Sequence, residues 1–400
     1  MKRNIPKVII SDEGIKWLEN GQMWMYRNNA ESMDDTLENG ALVDIETKQG
    51  SYMGTGYVSL DSHITVRILS KNKLDTFDET FFKERIQFAY NFRKTLEGEN
   101  ITNCRIIFGE ADDLPGLVVD RYNNILVAQI SSYGLDIRKE MIYNALLEVL
   151  REDGQEIDGI YERNDIKVRA KEGLALEKGY WNNVTMPTTT IINENGIQLH
   201  VDVENGQKTG YFLDQKENRV LLRKMSKGKR VLDCFSHTGG FALNAAYGQA
   251  SYVESVDVSQ TALNQGYQNA VLNNLEKKIK FTKADVFKYL DECPVGKYDI
   301  IVLDPPAFTK SRSTVMNAYN GYKRINMQAM KLLGRGGYLI TCSCSRFMET
   351  DNFEKMLREA AKECQVTLKQ VSVTQQNHDH PILWTMEETS YLKFYIFQII

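Results

Sequence analysis

The chain has 400 residues, which predicts two or three domains, because one hydrophobic core rarely serves more than about 250–300 residues. Hydrophobic residues make up 42% and charged residues 26%, as is typical of a globular protein; the net charge of −4 argues against indiscriminate nucleic-acid binding, so RNA or DNA contact would need a local basic cluster. No early segment has the charged start and apolar run of a signal peptide, and no apolar stretch is long enough to cross a bilayer. We therefore expect a cytoplasmic protein.

Six cysteines in a chain of this length do not suggest a disulfide framework, and their spacing matches neither a zinc ribbon nor a zinc finger. We expect reduced thiols and no metal. The cysteines are Cys104, Cys234, Cys293, Cys342, Cys344 and Cys364.

The N-terminal part, residues 1–72, predicts a small β-barrel. One helix is expected at Glu13–Glu19, and two strand segments, Ala41–Glu46 and Tyr57–Leu69, are separated by glycines. Small barrels of this kind often handle RNA, and an accessory barrel without a nucleic-acid ligand is an equal alternative on composition alone.

The middle part, residues 73–190, predicts an α+β domain that opens with an amphipathic helix at Thr76–Leu96. Further strands and one helix are expected at Cys104–Phe108, Leu117–Val119, Ile125–Ile130 and Lys139–Arg151. The acidic loop Glu110–Asp113 has the residue types of a cation site. Beside a Pro-Gly turn, however, solvated carboxylates are the favoured interpretation.

The last part, residues 191–400, alternates strands with helices, which predicts a parallel α/β sheet with right-handed crossovers. Ligands of such sheets bind at the carboxyl ends of the strands. After a helix at Asp214–Met225, the expected strands are Val231–Cys234, Tyr252–Asp257, Ile279–Phe281, Tyr298–Asp304 and Gly337–Cys344, with helices at Phe241–Ala246, Gln260–Asn274 and Asn320–Leu333.

The segment Val231–Phe241 is organised as strand, tight turn and helix around the pair Gly239 and Gly240. This is the first βα turn of a doubly wound sheet, where a nucleotide-like ligand can approach bare backbone at a helix start. The turn lacks the glycine pattern of a dinucleotide site, because Phe235, Ser236 and His237 stand where the first glycines would be. NAD is therefore disfavoured.

Four carboxylates, Asp233, Asp257, Asp285 and Asp304, stand at or near the ends of successive predicted strands. Such a row suits a ligand with ribose hydroxyls, an adenine amino group and an ammonium or sulfonium charge. Asp257 lies at about the distance from the glycine turn at which a ribose-binding acid is expected. Any one of the four could instead be a helix cap, but a set in this order favours a site.

Two further motifs end strands of the predicted sheet. Asp304-Pro305-Pro306-Ala307-Phe308 combines an acid with a stiffened loop and an aromatic ring that could stack on a base; a structural turn is the alternative. Cys342 and Cys344 end the next strand, where a thiol can act as a nucleophile if its pKa is lowered. Buried structural cysteine is the common alternative, and we expect Cys344 to lie nearer the open edge.

Seven basic side chains crowd the segment before the glycine turn, and a solvated helix face is the alternative to phosphate contact there. They are Lys216, Arg219, Arg223, Lys224, Lys227, Lys229 and Arg230.

Together these residues resemble the class I S-adenosylmethionine-dependent methyltransferases, and in particular the RNA cytosine-5 methyltransferases. Three further segments, Gln207–Asp214, Gly109–Gly116 and Asp379–Pro381, are similar to those of the bacterial large-subunit rRNA cytosine-C5 methyltransferase family. The resemblance covers essentially the whole chain. It implies an N-terminal PUA domain at 1–72, a central α+β domain at 73–190 and a C-terminal Rossmann-like methyltransferase domain at 191–400.

The resemblance also implies the cofactor, the partner and the site residues. Cys344 would add to C6 of a cytosine in RNA, most plausibly large-subunit rRNA, and Asp304 would hydrogen-bond the base near N3. A homodimer is considered as the assembly, and no membrane partner is expected. S-adenosylmethionine would lie against Asp233, Phe235, Ser236, Thr238, Gly239, Gly240, Phe241, Asp257, Ser259, Asp285, Asp304 and Pro305.

The chain departs from many RNA cytosine-5 methyltransferases at Ala307, where a second cysteine often follows Asp-Pro-Pro and assists product release. This departure fits a single-cysteine subgroup and leaves the release step without a residue. It keeps two alternatives open: methylation of a base amino group on the same fold, and an RNA-binding protein that has lost catalysis. Cys342 is the reserve nucleophile, and the base that removes the C5 proton is not identified.

Overall fold

The computed structural model describes residues 4–309 and 311–400. Two compact units are formed from interleaved segments of the chain. The N-terminal unit contains the chain up to Ile192 together with Val201–Leu213 and His378–Thr389. The C-terminal unit contains Asn193–His200, Asp214–Asn377 and Ser390–Ile400. The three domain boundaries drawn from the sequence remain predictions.

A six-stranded sheet opens the N-terminal unit, in the order β2-β6-β5-β4-β1-β3. Its core is aliphatic and includes Val8, Val43 and Ile68. The predicted single segment Tyr57–Leu69 is wrong, because the chain turns between two antiparallel strands, where the Ser59 N–H bonds the carbonyl of Thr65. The elements are β1 (Lys7–Ile10), α1 (Asp12–Glu19), β2 (Trp24–Tyr26), β3 (Ala30–Met33), β4 (Leu42–Glu46), β5 (Tyr52–Val58) and β6 (Ile64–Ser70).

The same unit contains a five-stranded sheet in the order β11-β10-β9-β8-β7. The long helix α2 begins after Asp78, whose side chain accepts the N–H of Phe81, and its inward residues, Phe82 among them, join the core of this sheet. The elements are α2 (Glu79–Glu97), β7 (Asn103–Phe108), β8 (Leu117–Tyr122), β9 (Ile125–Ile130), α3 (Tyr133–Asp136), α4 (Lys139–Glu152), β10 (Gly159–Asn164) and β11 (Glu177–Tyr180).

The acidic loop between β7 and β8 holds its carboxylates through protein partners. Asp112 forms a buried ion pair with Arg93, and Asp113 pairs with Arg85. Glu110 accepts a hydrogen bond from the indole of Trp24 at 2.8 Å. Each of these three acids therefore has a donor on another element of its own unit.

A hairpin of β12 (Thr189–Glu194) and β13 (Ile197–Asp202) precedes the C-terminal seven-stranded sheet, whose order is β16-β15-β14-β17-β18-β20-β19. The first five strands in this order are parallel, as predicted. Sequence reasoning missed the last two strands: β20 pairs antiparallel with β18, and β19 pairs antiparallel with β20. The sheet strands are β14 (Arg230–Cys234), β15 (Tyr252–Asp257), β16 (Ile279–Lys283), β17 (Ile300–Leu303), β18 (Tyr338–Ser343), β19 (Leu368–Thr374) and β20 (Lys393–Ile399).

Six helices accompany this sheet among the described residues, and the last three in chain order contribute inward residues to its apolar core. Strand β14 lies at the centre of the five parallel strands, with β15 on one side and β17 on the other, so the connection reverses direction there. A reversal of this kind is where ligands of open α/β sheets bind. The helices are α5 (Lys216–Met225), α6 (Gly240–Tyr247), α7 (Gln260–Leu272), α8 (Val286–Glu292), α9 (Val315–Leu332) and α10 (Thr350–Glu363).

No helix formed by residues 4–309 and 311–400 combines the length and hydropathy that a bilayer-spanning segment needs.

Candidate active site

Asp233 lies at the carboxyl end of β14 and is fully buried. Its Oδ2 accepts the N–H of Ala242, in the first turns of α6, at 2.9 Å, whereas its Oδ1 is buried and has no hydrogen-bond partner among the described residues. Burial raises the pKa of Asp233 well above its usual value, and the nearby carboxylates of Asp304 and Asp257 raise it further. An unsatisfied buried oxygen is costly, which makes this atom a candidate ligand contact.

The turn after β14 is built from left-handed backbone at residues other than glycine. Phe235 and His237 have φ angles of 59° and 51°, and Gly239 has 81°. Left-handed backbone costs an L side chain on the order of 1–2 kcal/mol. Two of the three positions where glycines were missing from the sequence pattern, Phe235 and His237, therefore adopt glycine-like backbone, as strained functional turns often do.

Asp257, at the end of β15, reinforces this turn. One of its oxygens accepts the N–H of His237 at 2.9 Å, and the other accepts the N–H of Ser259 at 2.8 Å. The next residue, Val258, is 61% exposed and offers an apolar surface beside the carboxylate. Burial lowers the pKa of the His237 imidazole, and the Asp257 carboxylate opposes this shift.

The other predicted residues of the turn are mostly buried. The Ser236 hydroxyl bonds that of Ser255, and the Phe241 ring stacks on Phe394 with centroids 6.1 Å apart. The Thr238 carbonyl accepts the amide of Asn269. These contacts connect the turn to neighbouring elements of the same unit.

Two predicted residues cap helices. Ser259 accepts the N–H of Ala262 at the start of α7, and Asp285 accepts the N–H of Lys288 at the start of α8. Both are exposed. For Asp285 the alternative considered from sequence, a helix cap, describes the observed contact.

Asp304 directly follows β17 and is half-buried, and Pro305 after it is buried. Phe308, at the end of this motif, packs on Tyr322 of α9 with ring centroids 4.6 Å apart, and lies 6.4 Å from Phe235 of the glycine turn. An aromatic cluster therefore joins the Asp-Pro-Pro loop to the first turn.

The two cysteines of the fifth strand occupy different environments. Cys342 lies within β18 and is fully buried; Cys344 follows the end of the strand and is partly exposed. The predicted strand end at Cys344 is one residue too long, and the expectation that Cys344 lies nearer the open edge agrees with its exposure. Burial raises the pKa of Cys342 well above its usual value, and the Asp304 carboxylate adds to this shift.

Sequence reasoning missed two residues beside Cys344. The Tyr322 hydroxyl lies 3.1 Å from the Ser343 hydroxyl and 3.0 Å from that of Ser345, so α9 contacts the side chains on both sides of Cys344. Lys393, the first residue of β20, donates from its Nζ to the Ser345 carbonyl at 2.8 Å. Neither has a local sequence signal, because each reaches the loop through tertiary packing.

The seven basic residues predicted as a cluster do not form a continuous exposed surface, because several of them are buried or half-buried. Lys216 and Arg219 are buried, and Arg219 pairs with Glu194 at 2.7 Å. Arg223 is half-buried and bonds Asn244, and Arg230 pairs with Asp299. Exposed lysines remain at Lys224 and Lys227.

The family models match both ends of the chain. The S-adenosylmethionine-dependent methyltransferase model matches residues 178–397, and a PUA-like domain model matches residues 8–71.

Curated relatives match nearly the whole chain. Ribosomal RNA large subunit methyltransferase I of Klebsiella pneumoniae (strain 342) is 38% identical over 392 residues, which is 97% of both chains. The protein of the same name from Enterobacter sp. (strain 638) is 39% identical over 374 residues, 92% of this chain and 93% of the relative.

Solved structures agree in fold. A structure assigned as a SAM-dependent methyltransferase from Streptococcus mutans is 22% identical, covers 98% of this chain and 100% of its own, and has a TM-score of 0.82. A methyltransferase structure complexed with SAH is also 22% identical, with the same coverage and a TM-score of 0.83. With its sheet order, its cofactor-type turn and these relatives, the chain belongs to the S-adenosylmethionine-dependent methyltransferases with an N-terminal PUA-like domain, in the family of ribosomal RNA large subunit methyltransferase I.

Proposed function

We propose that this protein methylates C5 of a cytosine in large-subunit ribosomal RNA through a covalent adduct between Cys344 and C6 of the base. The observation that carries the proposal is the contrast between Cys342, which is buried, and Cys344, which is partly exposed just past the strand that neighbours Asp304. The names of the relatives support ribosomal RNA as the substrate. The PUA-like domain is the proposed second RNA contact.

The residues of the first turn fit S-adenosylmethionine. The unsatisfied Oδ1 of Asp233 is a partner for the ammonium group of its methionine part, and Asp257 at the next strand end is a partner for ribose hydroxyls. Val258 offers the apolar surface that an adenine ring needs. Phe235, Ser236, Thr238, Gly239, Gly240, Phe241 and Pro305 would shape this site, with Ser259 and Asp285 at its rim.

When bound, the cofactor supplies an electrophilic methyl group. The thiolate of Cys344 would form a bond to C6, and the C5–C6 double bond would give its electron pair to C5; C5 could then take the methyl group, whose bond to the sulfonium sulfur would break. Asp304 hydrogen-bonds the base near N3 and its exocyclic amine and stabilises the charge that develops there. Loss of the C5 proton restores the double bond and expels the thiolate from C6.

Methylation of a base amino group remains the second candidate, because Asp304-Pro305-Pro306-Ala307-Phe308 also resembles loops that methylate exocyclic amines. That chemistry needs Asp304 and the loop but no thiol. The two candidates therefore differ in whether an enzyme–RNA bond forms.

The deciding experiment uses large-subunit rRNA containing 5-fluorocytidine. In the proposed mechanism fluorine at C5 cannot leave as the proton does, so wild-type protein with S-adenosylmethionine becomes covalently attached to the RNA through Cys344. Nuclease digestion and mass spectrometry of the Cys344 peptide identify the bond. Turnover of unmodified rRNA without adduct formation, together with an N-methylated product, would establish the second candidate instead.

A further inference from the structure

Lys393 is a buried lysine whose backbone lies directly opposite the loop that carries Cys344. Lys393 is 7% exposed to solvent. In the antiparallel pairing of β18 with β20 it lies opposite Ser343. Its Nζ donates to the carbonyl of Ser345 at 2.8 Å. Pairing before Cys344 and a hydrogen bond after it hold the amine at this turn.

Within the described residues the charge of Lys393 is not balanced by an ion pair with a carboxylate, and its hydrogen bond goes to a backbone carbonyl. The buried cation Arg219, by contrast, pairs with Glu194. Burial without a carboxylate destabilises an ammonium and lowers the pKa of Lys393 to about 8. Cys344 and the exposed Glu349 are the groups whose negative charge opposes that shift.

The environment of Cys342 has the opposite character. Burial raises the pKa of its thiol, the Asp304 carboxylate raises it further, and the amide of Gln215 only partly offsets this. The two thiols therefore differ in local charge as well as in exposure: carboxylate oxygens act on Cys342, and an amine lies beside the loop of Cys344.

We propose that Lys393 is the residue that ionises Cys344. The S–H bond of the thiol breaks and its proton passes to solvent, which leaves a thiolate beside the Lys393 ammonium; a proton from solvent returns to sulfur after the thiolate leaves C6. No other reactant is needed. The inference rests on the proposed function in taking Cys344 as the nucleophile, and Lys393 acts through that thiol as a positioning residue.

The test measures the rate at which iodoacetamide alkylates Cys344 in the full-length protein, from pH 6 to pH 10, with neither RNA nor cofactor present. Peptide mass spectrometry follows each cysteine separately. In Lys393→Met, which keeps an unbranched side chain and removes the amine, alkylation of Cys344 at pH 7 falls at least about tenfold and its pH profile moves to higher pH, as expected when an opposite charge is lost nearby.

Two controls make the result specific. Cys293 in the same variant reports any general change in thiol reactivity, and its rate stays unchanged. Lys369→Met removes an exposed lysine from the neighbouring strand β19 of the same sheet and leaves Cys344 as reactive as in wild type. Equal Cys344 profiles in wild type and folded Lys393→Met would overturn the proposal.

If Lys393→Met does not fold, the wild-type profile decides. Half-maximal alkylation of Cys344 below about pH 8.5, the ordinary value for a thiol, supports an ionised pair; a midpoint at or above it rejects the pair. Lys393→Arg, whose cation does not titrate, retains the reactivity if charge is what matters. The alkylation test contains no RNA, so its outcome does not depend on the fluorocytidine experiment. An N-methylated product in that experiment would contradict the proposed function without changing the measured reactivity of Cys344.

Discussion

The two halves of the candidate site use the same sheet edge in different ways. At β14 and β15 the carboxylates of Asp233 and Asp257 accept backbone N–H groups nine and twenty residues away in sequence. At β17 and β18 the loop of Cys344 depends on Tyr322 and on Lys393, the latter 48 residues from Ser345. The cofactor half is thus organised by its own turn, whereas the acceptor half is assembled from distant elements.

In the proposed site, this difference means that cofactor binding and the reaction of Cys344 depend on different parts of the structure. A turn held by backbone groups close in sequence can form with its strand and helix, and it keeps one unsatisfied carboxylate oxygen ready for a ligand. The loop after β18 needs a helix and an antiparallel strand to set its thiol and the charge around it. Substitutions in the two halves should therefore change different measurable quantities.

The largest effect is expected from Cys344→Ser. A hydroxyl is a much weaker nucleophile than a thiolate, so single-turnover methylation of rRNA should fall by about three orders of magnitude or more, with cofactor affinity unchanged. Cys342→Ser is the matched control, and it should keep most of the activity while losing about 1–3 kcal/mol of stability, because a hydroxyl is buried in place of a thiol. Equal losses of activity in the two variants would remove Cys344 from its role.

Asp233→Asn tests the cofactor half. Loss of the charge should weaken S-adenosylmethionine binding by roughly ten- to a hundredfold in calorimetry, as expected for a charge-assisted hydrogen bond. The methyl-transfer step measured with saturating cofactor should change much less. Unchanged affinity would exclude Asp233 as the ammonium partner.

The same variant has a pH signature in stability. The pKa of Asp233 is raised in the folded state, so the folded protein binds the extra proton and wild-type stability falls as pH rises from the unfolded value of about 3.9 towards the folded pKa. Asp233→Asn lacks this loss and should be more stable than wild type at pH 7.5, with the difference shrinking near pH 4. Thermal denaturation without cofactor at both pH values checks the sign.

The smallest effect is expected from Tyr322→Phe, which removes the hydroxyl between Ser343 and Ser345 and keeps the ring against Phe308. Loss of these hydrogen bonds should cost about 1–2 kcal/mol of stability and lower kcat by up to about tenfold, with KM for cofactor unchanged. Tyr319→Phe, on the same helix, is the control and should retain kcat. A rise in cofactor KM instead would mean that α9 also supports the cofactor half.

The sequence predicts the part of the site at β14 and β15 better than the part at β17 and β18. The strand–turn–helix pattern and the acids at strand ends predict the parallel sheet and the cofactor turn, because burial period and glycine placement are local properties. The prediction of one strand segment at Tyr57–Leu69 was wrong, because residues typical of strands continue through the turn between β5 and β6. The prediction of a basic surface from Lys216 to Arg230 failed for another reason. Helix α5 buries Lys216 and Arg219, and Arg219 forms an ion pair with Glu194.

By itself the sequence determined the family resemblance, the five parallel strands and the candidate acids and thiols, because each depends on residues close together in the chain. The sequence also predicted that Cys344 lies nearer the open edge than Cys342, but only the tertiary structure decided what surrounds each thiol. The strand β20 enters the sheet antiparallel beside β18 and brings Lys393 opposite Ser343, while α9 brings Tyr322 into contact with Ser343 as well. Such pairings join residues far apart in sequence, and no local pattern encodes them.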